Sequence, residues 1–283
     1  MDRPAVLVTG ASKGIGEACV LRLCARGFFV FAGVRRVEDG EALRGQMDSD
    51  RLIPVLLDVT EEEQIRSAAA VVEERCGERG LAGLVNNAGI AVAGPMEFLP
   101  IAEFRRQLEV NVLGQVAVTQ ALMPALRRAR GRIVFISSIA GRSAMPFTGA
   151  YGASKHAIEA IADSLRVELM DAGIEVSVVE PGTIATPIWE TAIRHADRIM
   201  KDMPPQLSEY YGRPLEGLRR IANRGVKGAS PELVADVVEH ALTASRPKPR
   251  YVVGKDAKLR LALERFLPTR VRDRVIANRL KRV

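Results

Sequence analysis

Short apolar runs punctuate the first two-thirds of the chain, and the stretches between them carry apolar residues at helical spacing. The runs at 5–9, 28–33, 52–57, 81–86, 133–137 and 175–179 show no alternation of apolar and polar side chains. A strand with one wet face alternates, so these strands are predicted to be buried on both faces, in a parallel sheet covered by helices. Helices are predicted over 16–26, ending at Gly27, over roughly 101–128 and over 151–172. Another starts at Thr60, where Glu63 completes the pattern of a capping box. Ser230-Pro231-Glu232 opens a further helix, with a hydroxyl for the N-cap and proline in the first turn. No internal repeat or low-complexity linker interrupts the order, which predicts one α/β domain rather than two.

Two later stretches depart from this rhythm. Residues 187–228, which contain Pro187, Pro204, Pro205 and Pro214, are too long for an ordinary connection and read as a lid or substrate loop. Ile188, Trp189, Ile193, Met200 and Met203 within it suit either an apolar pocket wall or the packing of the lid onto the body. Residues 1–254 then form the catalytic unit and 255–283 a basic amphipathic tail, in which Leu259, Leu261, Leu263, Phe266, Leu267, Val271, Val275 and Leu280 are set among arginines. The apolar face of such a tail either caps a cleft or subunit interface, or rests on an anionic membrane surface.

Composition narrows the class. Among 283 residues, 47% are hydrophobic and 27% charged, which excludes a disordered chain or a disulfide scaffold. A pI of 9.6 suggests a nucleic-acid binder. However, residues 246–283 hold 13 basic residues against 3 acids, a net of +10 that leaves −3 of the total +7 for the rest. The basicity belongs to a tail with no aromatic beyond Phe266 after residue 254, so no specific nucleic-acid partner is expected. No run of ~18 apolar residues predicts a membrane-spanning helix. The N-terminus enters a strand without a basic leader. Cys19, Cys24 and Cys76 lack metal-ligand spacing and are odd in number, so a reducing, cytoplasmic setting is expected. His156, His195 and His240 are scattered, and no metal site is expected.

Candidate chemistry lies where strands meet helices. The glycines of Thr9-Gly10-Ala11-Ser12-Lys13-Gly14-Ile15-Gly16 allow a sharp turn whose backbone approaches a phosphate at a helix N-terminus. The spacing differs from the standard dinucleotide fingerprint, and a turn of this kind also serves simply to join strand to helix. After the second strand stand Arg35 and Arg36, with no acid until Glu38. Together with Lys13 these cations favour a ribose 2′-phosphate over a 2′-hydroxyl, hence NADP(H) over NAD(H). Tyr151 and Lys155 share one face of a helix, where an ammonium favours the phenolate and makes tyrosine a usable acid or base.

The glycine turn, Asp58, Asn86-Asn87-Ala88-Gly89, Asn111, Ser137-Ser138, Tyr151-Gly152-Ala153-Ser154-Lys155 and Pro181-Gly182 resemble, in order and spacing, the short-chain dehydrogenases/reductases. The resemblance spans residues 5–186 and implies a Rossmann-type, doubly wound parallel sheet. It also implies that Tyr151 exchanges the proton, Ser138 polarises the carbonyl, Lys155 lowers the tyrosine pKa and Asn111 holds a relay water. Gly10, Ser12, Lys13, Gly14, Ile15, Gly16 and Arg35 would take the phosphates, and Asp58 and Val59 the adenine. Asn87, Ala88 and Gly89 would meet the adenosine ribose, Tyr151 and Lys155 the nicotinamide ribose, and Pro181, Gly182, Ile184 and Thr186 the nicotinamide end. The stretches 97–100, 108–111, 154–157 and 179–182 look like the hydroxysteroid and retinol dehydrogenase branch, which implies a steroid-, retinoid- or lipid-like substrate. Reduction of a 3-oxoacyl group is the alternative within the family, and a non-catalytic nicotinamide sensor the alternative outside it. A homodimer or homotetramer is expected by resemblance.

Overall fold

In the computed structural model, which describes residues 3–47, 50–201, 204–225 and 228–281, the chain first builds β1 (Ala5–Val8), α1 (Gly14–Ala25), β2 (Phe29–Val34), α2 (Val37–Gly45) and β3 (Leu52–Leu56). Then follow α3 (Glu62–Cys76), β4 (Gly83–Asn86), α4 (Ile101–Leu108), a π-helical turn (Glu109–Leu113), α5 (Gly114–Ala129) and β5 (Arg132–Ile136). The rest comprises α6 (Gly149–Glu168), β6 (Glu175–Pro181), α7 (Ile188–Lys201), α8 (Gln206–Gly225), α9 (Pro231–Thr243), β7 (Arg250–Val253), α10 (Lys255–Phe266) and α11 (Thr269–Lys281). The strands pair in parallel in the order β3-β2-β1-β4-β5-β6-β7. Successive connections run outward in both directions from β1 and β4, so the order reverses there and opens a crevice at the carboxyl ends of the strands.

Both faces of the sheet are dry, which is why the strands do not alternate. Val6 and Val8 pack with α1 and α9 through Cys19, Leu23, Val234 and Val238. Leu7, between them, packs the other way, with Val118, Leu122, Leu126 and Ile158 of α5 and α6. Pro54 interrupts β3 without harm because β3 is an edge strand, where a missing N–H leaves no ladder bond unmade.

Four features differ from the sequence expectation. The helix α2 lies between β2 and β3, where the sequence reading placed no element, its nine residues weakly apolar. The strand β7 is short and opens on Arg250, inside what reads as a basic stretch. The capping box at Thr60 does not form: α3 starts at Glu62, and the Thr60 hydroxyl donates to Asp58 Oδ1 at 2.8 Å instead of serving the helix. Residues 187–228 form the helices α7 and α8 rather than a loop, and the tail folds as two helices broken at Leu267-Pro268. At the expected Ser230 cap, the hydroxyl accepts the Glu232 N–H at 3.3 Å. Met203 lies outside the described residues, as does the side chain of Met200.

Candidate active site

Glycine shapes the first wall. The chain leaves β1 through Gly10 and enters α1 at Gly14, both left-handed with φ of 61° and 62°. A Cβ on Gly10 would lie 2.9 Å from Ala88 Cα, and one on Gly16 would lie 2.2 Å from the Gly10 carbonyl oxygen. Asn87 braces this turn: its Nδ2 donates to the carbonyls of Thr9 and Gly10 at 2.9 and 3.0 Å. Lys13, at the N-cap of α1, offers no side-chain acceptor, so the first-turn N–H groups point into the crevice without a cap.

The charges beside the turn are unequal. Arg36 forms a two-pronged pair with Asp39 at 2.7 and 3.0 Å and holds that carboxyl below its usual range, with smaller help from Lys13 and Arg35. Lys13 and Arg35 themselves line the crevice. Asp39 is therefore already engaged, while the crevice presents Lys13 and Arg35 there. Asp58 accepts the N–H and hydroxyl of Thr60 on Oδ1, and Gln64 accepts the Asp58 N–H at 2.7 Å.

The second wall comes from β5 and α6. Ser138 follows β5 in extended conformation and its Oγ accepts the Ala140 N–H at 3.1 Å. Tyr151, in the first turn of α6, hydrogen-bonds the Ser138 side chain. Lys155, one turn on, is buried, donates to the Ile136 carbonyl at 2.7 Å and lies 5.8 Å from the centre of the Tyr151 ring. Burial raises the Tyr151 phenol above its ordinary pKa, while Ser138 pulls it back. The expected lowering by Lys155 has no part in this balance, which is set by burial and Ser138. Burial also brings the Lys155 ammonium down to about 8, opposed by the charge of Glu159.

Asn111 sits in the π turn that splits the helix expected over 101–128. The extra residue in that turn directs the side chain into the protein, and such turns gather at functional sites. Its Oδ1 accepts the Ile90 N–H at 2.9 Å, and its Nδ2 reaches the Ile90 carbonyl at 3.0 Å and Ser154 Oγ at 3.1 Å. These three bonds fix the carboxamide between Ile90 and Ser154. Asn111 and Gly16 stand behind the crevice. Gly10, Ser12, Lys13, Gly14, Ile15, Arg35, Asp58, Val59, Asn87, Ala88, Gly89, Ser138, Tyr151, Lys155, Pro181, Gly182, Ile184 and Thr186 all line one cavity of about 790 Å³.

The far end of this cavity is apolar and comes from the second half of the chain. Ile188, Trp189 and Ile193 of α7 and Leu215 and Leu218 of α8 face it, as do Leu259 and Leu263 of α10 and Val275 and Ile276 of α11. Trp189 is fixed by donating Nε1 to the Ile184 carbonyl at 2.8 Å. Sequence reading missed Ser143, which is buried and bonded to Glu264 of α10, and whose Oγ also accepts Arg260 Nε at 2.8 Å. Arg272 completes the group at 2.7 Å from Glu264. Burial opposes ionisation of Glu264, but Ser143 and Arg272 outweigh it and hold the carboxyl below its usual range. At the other end of α10, Asp256 accepts the Thr183 N–H at 2.8 Å, next to Gly182. No local pattern marks these residues, because Ser143 and Glu264 lie 121 positions apart and Thr183 and Asp256 73.

Comparison with known proteins places this arrangement. Residues 4–197 match the family model described as short chain dehydrogenase. Mouse retinol dehydrogenase 5 is 41% identical over 96% of this chain and 87% of its own length. Human 17-beta-hydroxysteroid dehydrogenase type 6 is 40% identical with the same coverage. A short chain dehydrogenase from Burkholderia cenocepacia J2315, crystallised with NADP, superposes with a TM-score of 0.74 at 25% identity, over 96% of this chain and 97% of its own.

Proposed function

This chain belongs to the short-chain dehydrogenase family, and from that premise we propose that it is an NADP(H)-dependent oxidoreductase acting on an apolar carbonyl compound or the matching alcohol. The observation that carries the reading is one cavity joining Tyr151, Ser138 and Lys155 to a cationic crevice at one end and an apolar chamber at the other. Relatives named for retinol and for 17-beta-hydroxysteroids support a steroid-, retinoid- or lipid-like substrate, and the NADP in the Burkholderia structure supports the cofactor.

The residues fit such a cofactor. The uncapped N-terminus of α1 and the close-packed glycine turn would hold the diphosphate, and Lys13 and Arg35 the 2′-phosphate. Asp58 and Val59 would border the adenine, residues 87–89 the adenosine ribose, and Ile184 and Thr186 the nicotinamide end. When bound, the cofactor supplies or accepts a hydride. Tyr151 gives its phenolic proton to the carbonyl oxygen in reduction and takes it back in oxidation. Ser138 hydrogen-bonds that same oxygen and stabilises the charge developing on it. Lys155, cationic at neutral pH, steadies the phenolate that Tyr151 leaves and holds the nicotinamide ribose. Asn111 positions Ile90 and, through Ser154, α6.

A panel of steroid, retinoid and long-chain ketones with NADPH tests this, with absorbance of the reduced cofactor as readout. Tyr151→Phe should lower turnover at least about a thousandfold while leaving NADPH affinity within about twofold. Retention of more than a few per cent of activity would show that Tyr151 is not the acid.

A further inference from the structure

Two carboxylates are buried near one another without lining the cavity, and one of them acts on Lys155. Glu159 lies one turn further along α6 and is 5% exposed; Glu180, on β6, is 0% exposed. Both converge on one nitrogen of Arg250, whose Nε is 3.1 Å from Glu159 and 3.3 Å from Glu180. Arg142, just after the short turn Ile139–Gly141, meets Glu180 at 3.1 Å, and the remaining reach of Arg250 goes to Asp163 at 2.6 Å. Glu159 Oε1, Glu180 Oε2 and Ser137 Oγ have no hydrogen-bond partner among the described residues.

Such a group is a poor way to gain stability. Two carboxylates taken out of water cost several kcal/mol each unless fully paired, and apolar residues would join α6 to β6 at less expense. Its chemical consequence lies one turn away. Lys155 bonds the neutral Ile136 carbonyl, and burial works against its charge, while Glu159 supplies the opposing negative charge. Around Lys155 stand Tyr151 and Glu159 from α6, the end of β5, and the neutral Asn111 by way of Ser154. Around Glu159 stand Glu180 from β6, Arg250 from β7, Arg142 and, along α6, Asp163. Burial and the charge of Glu159 push Glu180 up, against the pull of Arg142 and Arg250.

We propose that Glu159, tethered by Arg250 between α6 and β6, is a positioning residue whose buried charge keeps Lys155 cationic at neutral pH. This rests on the reading that Lys155 serves the reaction, but it can be measured without substrate. The whole chain, labelled with 13C at lysine Cε, contains eight lysines, and Lys155→Arg identifies the signal of Lys155. The wild-type midpoint should lie near pH 8. Glu159→Gln should lower it by roughly one unit, and Glu159→Asp, which keeps the charge, by less. The high-pH limb of turnover should move by the same amount as the NMR midpoint. A folded Glu159→Gln with an unmoved midpoint overturns the proposal, as does an equal shift in Glu180→Gln. If Glu159→Gln does not fold, the apolar Glu159→Leu takes its place, and an unmoved midpoint there overturns the proposal as well. A chain that reduces no apolar ketone would contradict the functional reading, while the titration would still decide the role of Glu159.

Discussion

The crevice beside the glycine turn and the chamber at the far end of the cavity are built by opposite means. The crevice is backbone geometry: left-handed glycines, an uncapped helix end and a carboxamide brace within a few residues of β1 and β4. The chamber is side-chain packing between elements distant in sequence, such as Ser143 with Glu264 and Phe147 with Leu215 and Leu280. A Cβ on Gly217 would lie 2.3 Å from the Leu280 carbonyl oxygen, so α8 and α11 pack as closely as the glycine turn does. The lesson is that a site fixed by main-chain shape tolerates little change, whereas one fixed by side-chain pairs can be retuned one pair at a time.

Substitution in the crevice should accordingly do most damage. Gly16→Ala places a methyl group 2.2 Å from the Gly10 carbonyl oxygen and 2.5 Å from Asn87 Nδ2. Overpacking of this kind costs about 1–3 kcal/mol, and we expect a lower melting temperature together with NADPH affinity reduced at least about tenfold. Unchanged affinity by fluorescence titration would show that the turn does not shape the cofactor site.

Lys155 offers a test of opposite sign. Its pKa falls from 10.5 toward about 8 on folding, so between those values the unfolded chain binds the extra proton and stability rises with pH. The buried ammonium therefore destabilises the fold below pH 8, by roughly 3 kcal/mol on that shift. Lys155→Met should be inactive yet more stable than wild type at pH 7 in urea unfolding, with the gap closing as pH climbs through 8 to 10.5. A gap that widens over that range would contradict the assignment.

In the chamber the expected effects are smaller and fall on substrate alone. Ser143→Ala removes the side-chain contacts that tie α10 to the loop after Ser138, leaving the bond from Arg260 to the Ser143 carbonyl. With bonds to charged groups contributing about 1.5–3 kcal/mol, the KM for a bulky apolar ketone should rise roughly tenfold. NADPH affinity should stay within about twofold; a parallel loss of both would mean that the two regions are not separable.

This division also explains what could be read from sequence. The parallel sheet and the shared face of Tyr151 and Lys155 were legible because unalternated apolar runs and local spacing encode them, whereas Ser138 came only from the resemblance to the family. The π turn at Asn111 was not, since an extra residue in a helix leaves the apolar period nearly unchanged. Nor was the short strand β7, opening on Arg250 amid basic residues. Residues 187–228 read as a loop because their prolines masked two amphipathic helices, one of which carries Pro214 internally. The Ser143, Glu264 and Arg272 group needed the fold itself, because no window of sequence contains it.

The most direct test of the account is a paired fluorescence titration of the wild-type chain and Arg35→Ala with NADPH and NADH. A charge-assisted contact to the 2′-phosphate predicts that wild type prefers NADPH by about tenfold or more, and that Arg35→Ala loses most of this preference while NADH binding holds. Equal binding of the two cofactors by wild type would contradict it: Lys13 and Arg35 would then be solvated charges at the edge of a site built for NAD(H).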